Sequence, residues 1–330
     1  MRNNTLPCDC RVLGYRGFLK ANFLKVIRKL ADLIHEHEIN ILQTFFEDSI
    51  FVGLLGKTIS RSPVVLLSSR RDIGLGLKNR PWYHSLYRLV LPLVNRYFDG
   101  IITNSERVKR YVSAKERVNP EKIKVIYNGI DIPYAPSTNP LLFLSIPETT
   151  WIGVVASLTP VKRHDVLLRA ISELHRKNSD LDFKVLLLGD GPERQKLKQL
   201  ANSLRIKDRI HFEGAVKNVF DYLYNIDIGV LCSDREGLSN AIMEYMACGL
   251  PVIATSVGGN VELVDERNGV LIPPDDHLAL ADALERLITQ PELRKQMGKA
   301  SLKKIRDNFS WQKTMTTLEA YYSSLTNTRS

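Results

Sequence analysis

Ten short apolar runs, each of strand length, recur along the chain with longer stretches of helical period between them, and this alternation constrains the fold most. The runs fall at 39–45, 63–67, 100–103, 124–126, 151–156, 183–188, 209–212, 226–231, 251–254 and 270–272. Segments such as 163–177, 192–204 and 278–289 space their apolar residues as helices do. Continuous Val/Ile/Leu runs suit strands buried on both faces, and parallel strands need helical crossovers. The pattern predicts an α/β fold with doubly wound sheets. It breaks once, where four prolines and no helical period follow Asp131. The break predicts a unit at 1–132, a linker at 133–147 and a second unit at 148–310. A last amphipathic helix with Ser310 as its N-cap and a tail occupy 311–330.

Composition narrows the function classes. With 330 residues, 44% hydrophobic and 25% charged, the chain has enough apolar material for two cores and is neither disordered nor fibrous. No apolar run approaches the roughly 18 residues of a membrane span, and no signal-peptide core opens the chain, so the expected location is cytoplasmic. Cys8, Cys10, Cys232 and Cys248 are too scattered for a disulfide framework. Residues 1–131 hold 22 Lys and Arg against 12 Asp and Glu, whereas 132–330 hold 24 of each, so the whole +10 excess lies in the first part. That asymmetry fits either a solvated basic surface or a first part that meets something anionic, such as a polyphosphate lipid or a membrane surface on the inner face of the cell membrane. Nucleic acid is not expected, because zinc-finger spacing and a basic-aromatic RNA-binding strand are both missing. Lys20, Lys25, Arg28 and Lys29 interleave with Phe18, Leu19, Phe23, Leu24, Ile27 and Leu30. The spacing fits a membrane-surface helix or a helix that covers a sheet.

Several motif fragments fail on spacing. Gly56-Lys57-Thr58 has Phe51 where a phosphate-binding loop needs its first glycine. Gly189-Asp190-Gly191-Pro192 follows a strand but lacks the third glycine of a dinucleotide loop. Cys8-Asp9-Cys10 and His35-Glu36-His37 do not match structural zinc spacings, and no metal is expected. The densest signal is 227–259, read as strand, polar loop, helix and strand. Glu236 falls in the loop at the strand's carboxyl end, where open α/β sheets bind ligands, and Glu244 lies eight residues on, inside the helix. The amides of Leu238, Ser239 and Asn240 start that helix and form an anion site suited to a diphosphate.

These residues resemble glycosyltransferase family 4, the retaining nucleotide-sugar-dependent enzymes of the GT-B fold. The resemblance spans about 35–325 and is most specific in Glu236 with Glu244, the 247–254 run and the Gly258-Gly259 turn. The 157–162 and 188–192 segments, Phe212-Glu213-Gly214, Asn104-Ser105 and Asn128-Gly129-Ile130-Asp131 also match. It implies two Rossmann-like domains facing a cleft, with the C-terminal helix crossing back to the first. It implies that Glu236 contacts the donor sugar, that Glu244 accepts from the nucleotide ribose, and that Lys162 meets the diphosphate, while Arg163 beside it is read from its position as a second cation that compensates for the usual Arg. Gly189, Asp190, Gly191, Pro192, Val216 and Lys217 would shape the base pocket and Asn104 the acceptor and phosphate side, where Arg71 and Asp72, in a loop that departs from the family, are read as contacts for donor phosphate or acceptor, or else as a surface pair. The implied donor is UDP- or GDP-linked, with no other cofactor, and the acceptor a saccharide or polyprenyl-linked saccharide of surface polysaccharide or glycolipid synthesis.

Three departures from the family stand out. Ser157 occupies the position, five residues before Lys162, where an Arg is usual. Ser68-Ser69-Arg70-Arg71-Asp72 replaces a loop that often carries a His. The usual first strand and glycine-rich loop are not found before Arg11, so the first domain is expected to be incomplete, poorly soluble or weakly active. A non-catalytic nucleotide-sugar-binding relative, or another GT-B enzyme such as a nucleotide-sugar epimerase, are the alternative readings.

Overall fold

The computed structural model describes residues 9–17, 22–72, 84–132 and 149–327; the expected linker at 133–147, with Cys8, Phe18, Leu19 and Lys20, lies outside the described residues. The first parallel sheet has β1 (Ile41–Phe45), β2 (Val65–Arg70), β3 (Gly100–Thr103) and β4 (Ile123–Val125) in that spatial order. Its helices are α1 (Phe23–Glu36), α2 (Glu47–Ser60), α3 (His84–Val94) and α4 (Glu106–Glu116). The second sheet has β5 (Thr150–Val155), β6 (Phe183–Leu188), β7 (Ile210–Gly214), β8 (Ile228–Leu231), β9 (Val252–Thr255) and β10 (Gly269–Ile272). Its helices are α5 (His164–Lys177), α6 (Arg194–Ser203), α7 (Phe220–Leu223), α8 (Asn240–Ala247), α9 (Asn260–Leu263), α10 (His277–Thr289) and α11 (Pro291–Asn308). A final helix, α12 (Trp311–Asn327), follows.

All ten predicted strands form. The largest difference is at β2, which continues to Arg70 and pairs with β3 there. The apolar pattern missed this because Ser68, Ser69 and Arg70 are polar yet buried. Arg70 is satisfied inside by Glu116 at 3.1 Å and by Asn95 at 3.0 Å. Gly56, from the rejected phosphate-loop fragment, lies within α2, where a Cβ would strike Leu30 of α1 at 2.7 Å. Its neighbour Lys57 pairs with Asp99 at 3.1 Å. The α1 helix buries Val26, Ile27, Ala31 and Ile34 and packs along α2, the helix that lies on β1 and β2, and it turns Leu24, Lys25, Arg28 and Lys29 outward. Among the described residues β1 pairs only with β2, and Phe45 at its end and Phe46 beyond it are exposed.

The second sheet runs β10-β9-β8-β5-β6-β7 and reverses direction of winding between β5 and β8. Such a reversal leaves a crevice at the strands' carboxyl ends. Pairing there is confined to Ile152 with Ile228 and Gly153 with Gly229. Beyond it β8 stays on β9 and β5 stays on β6, so the two strands splay. The fully buried Tyr245 of α8 spans the gap: its hydroxyl accepts from the Val155 amide at 2.6 Å and donates to the Val230 carbonyl at 3.2 Å. Gly229 permits this approach, since a Cβ there would meet the tyrosine ring at 2.4 Å. The crevice is thus held open by a side chain of the helix that also carries Glu244.

The α12 helix crosses back onto the first domain. Leu318, Tyr321, Tyr322 and Leu325 pack on Val65, Leu67, Ile102 and Ile126. Ile130 and Ser310 form a bridge at the crossing, and the Ser310 hydroxyl accepts from the Lys313 amide at 3.4 Å, the expected cap. A second clamp joins the domains at α9, where Glu262 accepts from the Glu106 and Arg107 amides at 3.0 and 2.9 Å and from the Tyr127 hydroxyl at 2.9 Å. A carboxylate on two free amides at the start of α4 is favoured by the helix dipole as well as by the hydrogen bonds.

Replacing Tyr245 with Phe strands the Val155 amide and the Val230 carbonyl in the core. The expected cost is about 1–3 kcal/mol, read as a lower denaturation midpoint with an unchanged slope. A midpoint equal to that of the wild type would show that the hydroxyl does not hold the splayed strands.

Candidate functional site

Three loops meet at the crevice: those after β5, β6 and β8. Lys162 ends a turn of 3-10 helix at Pro160–Lys162 after β5, and Glu236 lies after β8. The structure brings the two together at 2.6 Å between Nζ and Oε1, with the Glu236 side chain only 12% exposed. The loops are tied at the backbone as well, the Asp234 amide donating to the Val161 carbonyl at 2.9 Å. The Gly258-Gly259 turn supports Glu236 from behind. A Cβ on Gly258 would lie 1.7 Å from the Glu236 carbonyl, and Gly258 has φ +50°, so glycine is needed there on both counts. The Gly259 amide donates to the Gly237 carbonyl at 2.7 Å.

Ser239 caps α8, its hydroxyl accepting from the Ile242 amide at 3.4 Å. The amides of Leu238, Ser239 and Asn240 donate to no acceptor among the described residues, which leaves them for an anion. One turn further, the largely buried Glu244 has no hydrogen-bond or cationic partner among the described residues. Burial alone pushes its carboxyl up to about 7. A lone buried carboxylate is costly unless a ligand donates to it, so Glu244 is fitted to receive hydroxyl protons.

The 189–192 loop is a packing device. The Gly189 amide donates to the Gly214 carbonyl at 2.7 Å, and Cβ atoms at Gly189 and Gly191 would strike the Ala156 and Leu158 carbonyls at 2.0 and 2.5 Å. These glycines let the loop after β6 lie on the loop after β5, with Asp190 folded back on the Gly191 amide at 2.8 Å and Pro192 beside them. Val216 is half-buried against the α8 side of the core, and Lys217 is exposed beside it.

Arg163 is placed differently from expectation. Its backbone has φ +47°, and its guanidinium pairs with Asp165 at 3.1 Å, Asp234 at 3.0 Å and Asp275 at 2.5 Å. Three carboxylates saturate its charge, so it is not a free donor-binding cation. His164 beside it is 3% exposed with neither ring nitrogen partnered, and burial with the nearby Lys162 charge pushes it down to about 4. It is neutral near pH 7 and adds no charge either.

Across the cleft, the 71–72 backbone packs on Gly237, where a Cβ would lie 1.9 Å from the Arg71 carbonyl and 3.2 Å from the Asp72 Cα. Asn104 donates to the Arg71 carbonyl at 3.2 Å, and Ser105 donates to the Gly237 carbonyl at 3.3 Å. A cavity of about 430 Å³ opens between the domains and is lined by Arg71, Phe45, Asn128, Asn240, Glu244 and Trp311 among others. Sequence reasoning missed Tyr245 and Glu262, whose roles depend on strand and domain contacts that no local pattern carries. Asn128 was visible only as part of a matching segment, and its side chain bonds Asn240 across the cleft at 2.9 Å.

Glu244 generates a pH prediction. Its folded-state value of about 7 lies above its ordinary 4.5, so the folded chain holds a proton that the unfolded chain has lost. Stability therefore falls as pH rises from about 4.5 to about 7. Glu244→Gln is expected to match the wild type at the acid end and to exceed it above neutrality, by about 1–3 kcal/mol. Denaturant titrations across that range test this, and parallel curves at every pH would contradict it.

Comparison with known proteins fits this geometry. The family described as Glycosyltransferase Family 4 matches residues 10–133, and that described as Glycosyl transferases group 1 matches 149–290. N-acetyl-alpha-D-glucosaminyl L-malate synthase of Bacillus anthracis is 32% identical over 213 residues, 63% of this chain and 55% of that protein. D-inositol 3-phosphate glycosyltransferase of Corynebacterium diphtheriae is 31% identical over 239 residues, 68% of this chain and 56% of that protein. The chain thus spans about half the length of these curated relatives. Among solved structures, Anabaena HepE in complex with UDP has a TM-score of 0.80 at 23% identity, covering 91% of this chain and 82% of that one. A glycosyltransferase from Rickettsia africae also has a TM-score of 0.80, at 20% identity, covering 94% and 84%. The architecture is the GT-B fold, and the chain belongs to glycosyltransferase family 4.

Proposed function

We propose that this protein transfers a sugar from a nucleotide-diphosphate donor to a saccharide or lipid-linked acceptor, with retention of anomeric configuration. The observation that carries the reading is the joint placement of Lys162, Glu236, the free amides at 238–240 and the unpartnered Glu244 around one crevice. A diphosphate on the α8 amides would lie beside Lys162. The ammonium gives one of its three protons to Glu236 and keeps two for phosphate oxygens. Negative charge grows on the diphosphate as the bond to the sugar breaks, so a fixed cation and a helix N-terminus lower that barrier. The second oxygen of Glu236 accepts from a sugar hydroxyl, and Glu244 accepts from the ribose. The reading includes no resident metal and no covalent nucleophile.

Anabaena HepE is described as a complex with UDP and with UDP-glucose, which favours a uridine nucleotide as the first donor to try. The exposed basic face of α1 supports work at an anionic membrane surface in polysaccharide or glycolipid synthesis, on the inner side of the cell membrane. No helix of the described residues is long and apolar enough to cross a membrane.

Metal-free calorimetry with UDP, UDP-sugars and GDP-mannose tests the donor site. Binding in the micromolar range is expected for one base, weakened at least tenfold by Lys162→Ala and by Glu244→Ala. Undiminished binding in both variants would remove the ammonium and the carboxylate from the donor site.

A further inference from the structure

The donor reading leaves an electrostatic deficit on the second domain. A nucleotide diphosphate brings about two negative charges, yet Lys162 is neutralised by Glu236 and Arg163 by three carboxylates. Ser157, where a guanidinium is usual in the resembled family, holds only a hydroxyl near that of Thr159 at 3.4 Å. His164 is neutral, and Glu244 adds negative charge above about pH 7. The α8 amides alone supply partial charge.

Arg71 stands apart from these cations. It belongs to the first domain, and its contacts are an uncharged hydrogen bond to Asn128 at 2.8 Å and the Phe45 ring at 5.3 Å. No carboxylate pairs with it among the described residues. Its side chain is still partly exposed at the cleft, and the part that is desolvated pulls its pKa down, as happens to a guanidinium lacking a counter-ion. Its position is set from the second domain: Asn128 donates in turn to the Asn240 side chain at 2.9 Å, and Asn240 is the first residue of α8. The guanidinium is therefore held two hydrogen bonds from the helix start that carries the free amides. Four of its five N–H donors remain for a planar, bidentate anion.

Resting on the donor reading above, we infer that Arg71 reaches across the cleft to bind the donor's diphosphate, in place of the guanidinium that Ser157 does not provide. The donor site is then shared by both domains. Binding the diphosphate fastens the first domain onto the second through charge, beside the backbone contact at Gly237 and the clamp at Glu262. The role is specific to the phosphates, so a nucleoside without them gains nothing from Arg71.

Calorimetry of the full chain with UDP, uridine, GDP and guanosine separates these terms in the wild type, Arg71→Met and Arg71→Lys. The expected result is at least a tenfold loss of diphosphate affinity in Arg71→Met, unchanged nucleoside affinity, and partial recovery in Arg71→Lys. Unchanged nucleoside binding also shows that the variant is folded. Diphosphate affinity equal to the wild type in Arg71→Met overturns the inference, assigning the guanidinium to an anionic acceptor or to structure alone. A wild type that binds neither UDP nor GDP overturns the donor reading itself, and the inference with it.

Discussion

The Tyr245 hydroxyl between Val155 and Val230 is the contact on which the rest of the site depends. Two parallel strands that run in register leave no room between them. Here β5 and β8 pair at two positions and then part, which exposes an amide on one and a carbonyl on the other. Unsatisfied, those groups would cost enough to favour closing the gap or flooding it. A buried tyrosine meets both with a single oxygen and keeps the strands apart. The loops after β5 and β8 leave from opposite lips of that gap, so Lys162 and Glu236 face each other across it at 2.6 Å. Glu244, next to Tyr245 in sequence, is carried into place by the same helix.

Charge is distributed with unequal commitment around this crevice. Lys162 and Glu236 satisfy each other, and Arg163 is consumed in an acidic cluster that staples the loops after β5 and β8 to Asp275. Glu244 and Arg71 are the uncommitted pair, one acceptor and one donor, both lining the interdomain cavity and neither bound to a countercharge. Desolvated charges without partners lower stability, and they are kept where a ligand supplies the missing partner. The two domains are meanwhile held by contacts remote from these groups, through α12 on the first sheet and Glu262 on the start of α4. Closure therefore does not need the ligand, and the ligand's contacts can be directed to recognition.

Much of this was legible in the sequence because it is local. Buried parallel strands are written as continuous apolar runs, and all ten were recognised from them. The spacing of Glu236 and Glu244 across a strand, loop and helix marked the crevice. The limits were equally physical. The extension of β2 to Arg70 is hidden by polar residues that the interior satisfies through Glu116 and Asn95. Arg163 looked like a second donor cation from its place beside Lys162; its ion pairs with Asp165 and with the distant Asp234 and Asp275 show where its charge goes. Glu262 and Asn128 act across domains, at separations of 156 and 112 residues, and no short window of sequence contains both partners.

The most direct test of the central claim is nucleoside diphosphate release from a panel of nucleotide sugars, including UDP-glucose, by the wild type and by Glu236→Gln. The account predicts release by the wild type with at least one donor and a loss of about a hundredfold or more in the variant. Calorimetric binding of the same donor should persist in Glu236→Gln, since the Lys162 ammonium and the α8 amides are untouched. A wild type that binds a nucleotide sugar yet releases no diphosphate, with Glu236→Gln behaving identically, would contradict it and leave a binding protein on an enzyme's scaffold.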